Sequence, residues 1–200
     1  MKKITIALIM VISLIAPIQT MAESVTQNGT IIEPLEQNIE QIIDEITSEP
    51  RPINSDAIQN VKEYISEYFG NLGYDNIEYQ KFEYNDENNE NAIRHSSQAD
   101  VFLASTAENA IVDGIGENII VTKNSSIDTT KNLIISAHYD SAEDSVGAND
   151  NGSGVAAVLE LARILKDTEI PYNIKFILFS GEEKYMLGDR KSTRLNSSHT

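Results

Sequence analysis

The chain has 200 residues, a formal net charge of −16 and no cysteine. This length suits about one domain with a core large enough to fold. The acidity argues against nucleic acid and anionic membranes as partners, because both would be repelled. Without cysteine the chain has neither a disulfide framework nor a lipid-anchored thiol, so its stability must come from core packing or metal ions.

The N-terminus has the pattern of a secretory signal peptide. Lys2 and Lys3 precede a mostly apolar run from Ile4 to Ile15, and small residues around Ala22 suit a signal peptidase. The run is shorter than the roughly 20 residues that a membrane span needs. We therefore predict a signal peptide over residues 1–22, a secreted protein and no stable membrane anchor.

The last residues differ in character from the rest of the chain. The segment DRKSTRLNSSH, Asp189 to His199, is basic within an acidic chain and matches one reading frame of a widely used sequencing-library adapter. A natural polar, disordered tail is the alternative. We expect residues 189–200 to be an artefact of cloning or assembly, and we exclude His199 as a ligand.

Two amphipathic helices are predicted in the first half of the chain. Apolar residues at helical spacing predict the first within Glu33–Ser48. This helix belongs either to a pro-segment over residues 23–50 or to a domain on which it packs. The second follows a cap at Ser55 or Asp56 and carries an apolar stripe that ends before Gly70–Gly73.

A strand and a polar segment follow these helices. Imperfect alternation over Ile77–Tyr84 predicts a strand with an irregular phase. The polar stretch Asn85–Asp100 predicts a loop. His95 lies in this stretch, so we interpret it as a solvated surface histidine rather than a ligand.

From Asn118 onward the pattern becomes more regular. Short runs rich in β-branched residues predict strands over Asn118–Thr122, Leu133–Ala137 and Ile174–Phe179. Between the last two, Gly154–Leu165 predicts a helix. This order implies a right-handed crossover and a parallel pair of strands. Residues 51–188 are thus predicted to form an α/β domain.

The polar clusters fall where these predicted strands end. His138 and Asp140 follow the second strand, whereas Glu182 and Glu183 follow the third. Asp150 lies just before the helix that joins them. Ligands of open α/β sheets bind beyond the carboxyl ends of the strands, so we expect all five side chains at one edge of the sheet.

These five residues could together form a metal centre. An imidazole with the carboxylates of Asp150 and Glu183 suits zinc or a similar divalent ion. Asp150 could bridge two ions about 3.5 to 4 Å apart. Asp140 could accept the second ring N–H of His138 and fix its tautomer. Glu182 would remain free to act as a base.

Simpler interpretations exist for each motif alone. The pair of His138 and Asp140 could be incidental, the two glutamates a solvated turn, and Ser153 an N-cap of the helix. An EF-hand loop would need acids where Gly147 and Val158 stand. A nucleotide-binding fingerprint formally fits Gly152–Ala157, but it does not directly follow a strand and Asp150 would repel a pyrophosphate. The joint occurrence of the motifs favours the metal site.

Three segments carry a more specific signal together than alone. AHYDS, GANDNGSG and LFSGEEKYMLG resemble the metal motifs of the secreted di-zinc aminopeptidases of peptidase family M28. The resemblance is clearest over Asn118–Gly188 and weakens back to about Arg51. It implies an α/β three-layer sandwich around a mixed, largely parallel sheet.

The resemblance also implies a role for each polar residue. His138 binds one zinc ion, Glu183 binds the other and Asp150 bridges both. Glu182 is the general base and Asp140 supports the ligands, while the Asp150–Asn151 peptide bond is cis. The implied reaction is hydrolysis of the N-terminal bond of peptides or proteins by metal-activated water.

The sequence departs from the family pattern after Gly188. Family members supply another metal-binding aspartate and a final histidine further downstream, and the chain ends before either. We therefore expect a truncated domain that is inactive by itself. A zinc carboxypeptidase or amidohydrolase of similar fold and a non-catalytic homologue remain alternatives.

Overall fold

The computed structural model describes residues 25–27, 30–32, 34–84, 114–184 and 187–188. The chain forms two compact units, one up to Glu33 and one from Pro34 onward. In the first, strands β1 (Val25–Gln27) and β2 (Thr30–Ile32) pair antiparallel. The predicted signal peptide, the predicted loop with His95 and residues 189–200 lie outside the described residues.

The second unit contains every helix and strand predicted between Glu33 and Phe179. In chain order its elements are α1 (Glu36–Ile46), α2 (Asp56–Asn71), β3 (Ile77–Tyr84), β4 (Gly114–Lys123), β5 (Asn132–His138), a π-helical turn (Ala148–Gly152), α3 (Ser153–Leu165) and β6 (Asn173–Phe179). Ser55 caps α2, since its hydroxyl accepts the N–H of Ile58 at 3.1 Å. The main difference is that β4 begins earlier than predicted.

The four longer strands form a mixed sheet in the order β3-β4-β6-β5. β3 with β4 and β4 with β6 are antiparallel, whereas β5 and β6 are parallel and are joined through α3. The predicted parallel pair and the mixed α/β class are therefore confirmed. Parallel pairing is limited to β5 and β6 among the described strands, because β4 pairs antiparallel with the other side of β6.

The core lies between one face of this sheet and the helices. Ile119 and Val121 of β4 and Phe176 and Leu178 of β6 point to this face and are completely buried. The ring of Phe176 packs against Phe69 of α2 at a centroid distance of 5.7 Å. Burial of each such side chain contributes about 1.5 to 3 kcal/mol. The described helices α1, α2 and α3 all pack in this one cluster, so the described residues show one helical layer of the predicted sandwich.

α1 is joined to this core by apolar and polar contacts. Its Ile42 and Ile46 are 1% exposed and pack in the same cluster as α2 and α3. The buried carboxylate of Glu160 on α3 accepts the Leu35 N–H at 2.8 Å and the Asn38 amide at 2.5 Å. α1 is thus integrated into the second unit.

The buried negative charge of Glu160 is also balanced by a residue of its own helix. Arg163, one turn later, donates from Nε at 2.9 Å and from Nη2 at 2.7 Å. Burial by itself would raise the pKa of Glu160, but these donors and those from α1 outweigh it and lower the pKa. The carboxylate therefore stays ionised while almost fully buried.

β5 is, with β3, one of the two outer strands of the described sheet. Its one recorded partner there is β6, and Leu133 and Ile134 on β5 are 45% and 52% exposed. Within the described residues no helix has the length and apolar character needed to cross a bilayer.

Candidate metal centre

The carboxyl ends of β5 and β6 lie side by side. His138, the last residue of β5, is paired in register with Phe179 of β6. The ladder continues by one bond, since the Tyr139 N–H donates to the Phe179 carbonyl at 2.8 Å. The parallel pairing therefore places the chain after His138 next to the chain after Phe179, as the sequence predicts.

His138 is 8% exposed and has partners at both ring nitrogens. Nδ1 lies 3.2 Å from the backbone carbonyl of Asp140 and 3.5 Å from its carboxylate. Nε2 lies 3.0 Å from Oδ1 of Asp150 and 3.8 Å from Oε2 of Glu182. A carbonyl oxygen only accepts, so Nδ1 carries a proton and Nε2 faces the two carboxylates.

These surroundings change the acid–base behaviour of the imidazole. Burial by itself would lower the pKa of His138, but hydrogen bonding and charge from Asp140, then Glu182 and Asp150, raise it to about 9. Nε2, the ring nitrogen that faces Asp150 and Glu182, is therefore surrounded by negative charge that strongly favours a cation.

Asp140 has a further role that sequence reasoning missed. Its side chain is fully buried, and its two oxygens accept the backbone N–H groups of Glu182 at 3.2 Å and Glu183 at 3.1 Å. Nδ1 of His138 lies closer to the Asp140 backbone carbonyl than to the Asp140 carboxylate, which was the predicted acceptor. Asp140 therefore links the end of β5 to the two glutamates after β6.

The turn after β6 is held from its other side by Asn118 of β4. The Asn118 side chain accepts the Ser180 N–H at 3.1 Å and donates to Gln80 and to the Gly188 carbonyl, both at 2.9 Å. Gly181 adopts a positive φ of 73°, which favours glycine. These contacts fix the backbone that carries Glu182 and Glu183.

The two glutamate side chains differ in their positions. Glu182, whose side chain is 34% exposed, approaches Nε2 of His138. Glu183 is exposed and is held through its backbone. Burial raises the pKa of Glu183, and the negative charge of Asp150 raises it further, while His138 opposes both. Repulsion among carboxylates therefore acts on Glu183.

Asp150 lies in the π-helical turn before α3. Its side chain is 76% exposed, yet Oδ1 reaches His138, and the Asp150–Asn151 peptide bond is cis as the resemblance implies. Ser153 is the first residue of α3 rather than its N-cap, and Oδ1 of Asn151 accepts the Gly154 N–H at 3.1 Å. A Cβ on Gly154 would lie 2.1 Å from that oxygen, which explains the glycine.

Arg51 is a second residue that sequence reasoning missed. It is fully buried, and its guanidinium donates to the carbonyls of Tyr139, Val146 and Gly147. Burial lowers the pKa of Arg51, and the charges of Asp140 and Glu183 oppose that shift. The sequence offers one signal for it, a charged residue between Pro50 and Pro52.

The structure brings part of the predicted ligand set together. His138 and Asp150 are in direct contact with each other, and Glu182 lies near His138. Within the described part of the chain, Glu183 is connected to them through its backbone N–H alone. Among the described residues no three metal-binding side chains form a group that could hold an ion. The donor types present, one imidazole nitrogen and carboxylate oxygens, do fit zinc. The pair is therefore suited to be part of a zinc site.

The fold and site define an α/β protein with a cluster of ionisable side chains at the carboxyl edge of a parallel strand pair. Residues 118–199 match the model of Peptidase family M28. The matched range includes His138, Asp140, Asp150, Glu182 and Glu183. It also extends past Gly188 into residues 189–199, which we interpreted from the sequence as an artefact.

Two curated proteins illustrate the similarity. The chain is 42% identical to Aminopeptidase YwaD of Bacillus subtilis over 80 residues, or 40% of this chain and 18% of that protein. It is 32% identical to Vacuolar membrane protease of Schizosaccharomyces japonicus over 151 residues, or 76% of this chain and 16% of that protein. The chain thus spans less than a fifth of the length of each.

Solved structures support the fold. An aminopeptidase from Aneurinibacillus sp. strain AM-1 has a TM-score of 0.63 at 18% identity, with 80% of this chain and 66% of that chain covered. BSAP, a zinc aminopeptidase from Bacillus subtilis, has a TM-score of 0.60 at 16% identity over 77% and 63%. A glutaminyl cyclase from Tannerella forsythia has a TM-score of 0.53 at 19% identity over 75% and 48%. The same fold therefore serves more than one activity.

Proposed function

We propose that this chain is part of an exported metallo-aminopeptidase of family M28 that uses two zinc ions and acts on the free N-termini of peptides or proteins. One observation carries the proposal. Nε2 of His138 lies 3.0 Å from Asp150 and 3.8 Å from Glu182, at the carboxyl edge of the parallel strands. The family match and the aminopeptidase relatives support a peptidase activity.

The residues divide into those that hold zinc and those that move protons. His138, Asp150 and Glu183 are the proposed ligands, and donors outside the described residues would complete the site. Zinc, when bound, polarises the scissile carbonyl and lowers the pKa of water. The remaining chemistry depends on the side chains of Glu182 and Asp140.

Glu182 is suited to proton transfer by its position. Its side chain is partly exposed at the edge of the site, and its backbone N–H is fixed by the buried carboxylate of Asp140. A carboxylate so placed accepts a proton from the attacking water and later donates it to the leaving amine. Asp140 contributes by fixing the backbone that carries this side chain.

Substitution of Glu182 tests this role in the full-length gene product. We expect Glu182→Gln to lower kcat by about 10² to 10⁴ on a free-amine peptide, because it removes the proton acceptor but keeps the shape. Zinc content should stay at the wild-type level. Asp144→Asn, a similar change at an exposed position of the preceding loop, is the control and should have wild-type turnover. Full activity of Glu182→Gln would remove Glu182 from the base role.

Substrate class is tested with a matched set of peptides. An aminopeptidase cleaves the free-amine peptide and spares its N-acetylated copy. A carboxypeptidase instead cleaves the other end, and an amidohydrolase releases the blocking group. A peptide that begins with glutamine tests for cyclisation, the activity named for the Tannerella forsythia neighbour. Zinc binding without turnover of any peptide would favour the non-catalytic homologue.

Export is proposed from the N-terminal pattern alone. The name of the Schizosaccharomyces japonicus relative places that protein at a vacuolar membrane, a location other than the one proposed here. Cell fractionation followed by mass spectrometry of the mature N-terminus tests the proposal. We expect the protein in the medium, with Glu23 as its first residue. A cell-retained protein that keeps Met1 would contradict export.

We further propose that the domain begins at about Pro34 rather than at Arg51. The buried isoleucines of α1 and the bonds from Leu35 and Asn38 to Glu160 support this boundary. α1 would then remain in the mature protein instead of being removed as a pro-segment. The same mass measurement decides the question, because a mature chain that starts after Ile46 would refute it.

A further inference from the structure

Arg51 makes an unusual set of contacts for a buried charged residue. Nε donates to the Tyr139 carbonyl at 2.7 Å, Nη2 to the Gly147 carbonyl at 3.1 Å, and Nη1 to the Val146 carbonyl. Its own N–H donates to Oγ of Ser141 at 2.9 Å, and its carbonyl accepts the Ser141 N–H at 3.2 Å. Every one of these partners lies in the segment 139–147.

The three carbonyls lie at the two ends of that segment. Tyr139 directly follows His138, whereas Val146 and Gly147 directly precede the π-helical turn that contains Asp150. The Gly147 carbonyl also accepts the Gly152 N–H at 2.9 Å, so it belongs to the turn itself. One guanidinium therefore holds together the two backbone stretches that carry the contacting pair His138 and Asp150.

The buried positive charge of Arg51 needs partners that compensate for its loss of water. Among the described residues no carboxylate lies within ion-pair distance of Arg51, so its charge is compensated by carbonyl dipoles at hydrogen-bond distance and by the more distant charges of Asp140 and Glu183. Removing a charge from water is expensive unless its hydrogen bonds are well satisfied. The planar fork of arginine can reach three separate carbonyls, which a lysine ammonium cannot do in the same geometry.

We infer that Arg51 is a positioning residue of the metal centre, which closes the segment 139–147 and so sets the separation of His138 and Asp150. The inference rests on the proposed zinc site. Arg51 lies outside the family match, which begins at residue 118. The site would thus depend on a residue that precedes α2 and contributes no metal ligand.

The test measures zinc affinity and stability in the full-length protein. Arg51→Lys keeps the charge and loses the fork, while Arg51→Met loses both. Arg163→Met is the matched control, because that arginine is bonded to Glu160 on α3 and stabilises the fold away from the loop. Zinc affinity is read by competition with a chromogenic chelator, and the midpoint of thermal unfolding is read on the zinc-free proteins.

We expect both Arg51 variants to lose about 10- to 100-fold in zinc affinity, the range found when partners that orient metal ligands are removed. Arg163→Met should lose thermal stability but keep its zinc affinity. A merely structural Arg51 would instead lower the unfolding midpoint and leave the zinc affinity of the folded protein at the control value. That result would overturn the inference.

A second substitution covers the case in which the Arg51 variants fail to fold. Ser141→Ala removes the hydroxyl that accepts the Arg51 N–H and leaves the guanidinium in place. We expect a smaller but measurable loss of zinc affinity, and an unchanged affinity would count against the inference. A wild-type protein that binds zinc but cleaves no peptide would contradict the proposed function while leaving the affinity comparison valid.

Discussion

The buried carboxylate of Asp140 offers a sharp test of how the site is assembled. Its two oxygens accept the N–H groups of Glu182 and Glu183. Asp140→Asn keeps the shape and one acceptor, but turns an NH₂ group toward the second N–H. A hydrogen bond to a charged group contributes about 1.5 to 3 kcal/mol, and a buried N–H without a partner adds about 1 to 3 kcal/mol. We expect the free energy of unfolding to fall by about 3 kcal/mol or more.

Urea unfolding of the zinc-free full-length protein measures this loss. The midpoint should move to lower urea while the slope is unchanged, because the surface exposed on unfolding stays the same. Asp144→Asn makes the same chemical change on the exposed loop and should lie within about 0.5 kcal/mol of wild type. A similarly small effect of Asp140→Asn would refute the link between β5 and the turn after β6.

Three further predictions concern packing and charge. Ile42→Ala should cost about 2 to 5 kcal/mol in the mature protein, because the residue is 1% exposed; an unchanged unfolding midpoint would mean that α1 is not part of that protein. In wild type, ionised Glu160 stabilises the fold above the ordinary glutamate pKa, and this stability is lost as the pH falls through the lowered pKa of the folded state. Glu160→Gln should remove this contribution, so the free energies of unfolding of the two proteins, measured with urea, should converge as the pH is lowered. Gly154→Ala should displace Asn151 and weaken zinc binding, whereas Gly70→Ala, with no atom within 4 Å of the added methyl, should bind zinc normally; equal affinities would contradict the close-approach argument.

The local elements could be predicted from the sequence because their signals are local. Periodicity located α1, α2 and α3, and the cap at Ser55 was visible as a residue type at a helix start. Parallel pairing of β5 and β6 followed from the strand, helix, strand order. That pairing was enough to place His138, Asp140 and Glu182 at one edge of the sheet.

The rest depends on contacts between distant parts of the chain. Nothing near β4 indicates that it lies between β3 and β6, because strand order is set by tertiary packing. Arg51 and the loop that it holds are similarly far apart in sequence. The acceptor role of the Asp140 carboxylate was hidden because a pattern of side chains says nothing about which backbone N–H groups need partners.

The exposed outer strand has a practical consequence for laboratory work. Among the described strands β5 pairs on one side alone, and its Leu133 and Ile134 are exposed, which is the pattern of a surface prone to strand addition and aggregation. A recombinant fragment limited to residues 34–188 would therefore be liable to self-associate in a concentration-dependent way. Lysine in place of Ile134 is the simplest substitution to keep such a fragment monomeric during purification.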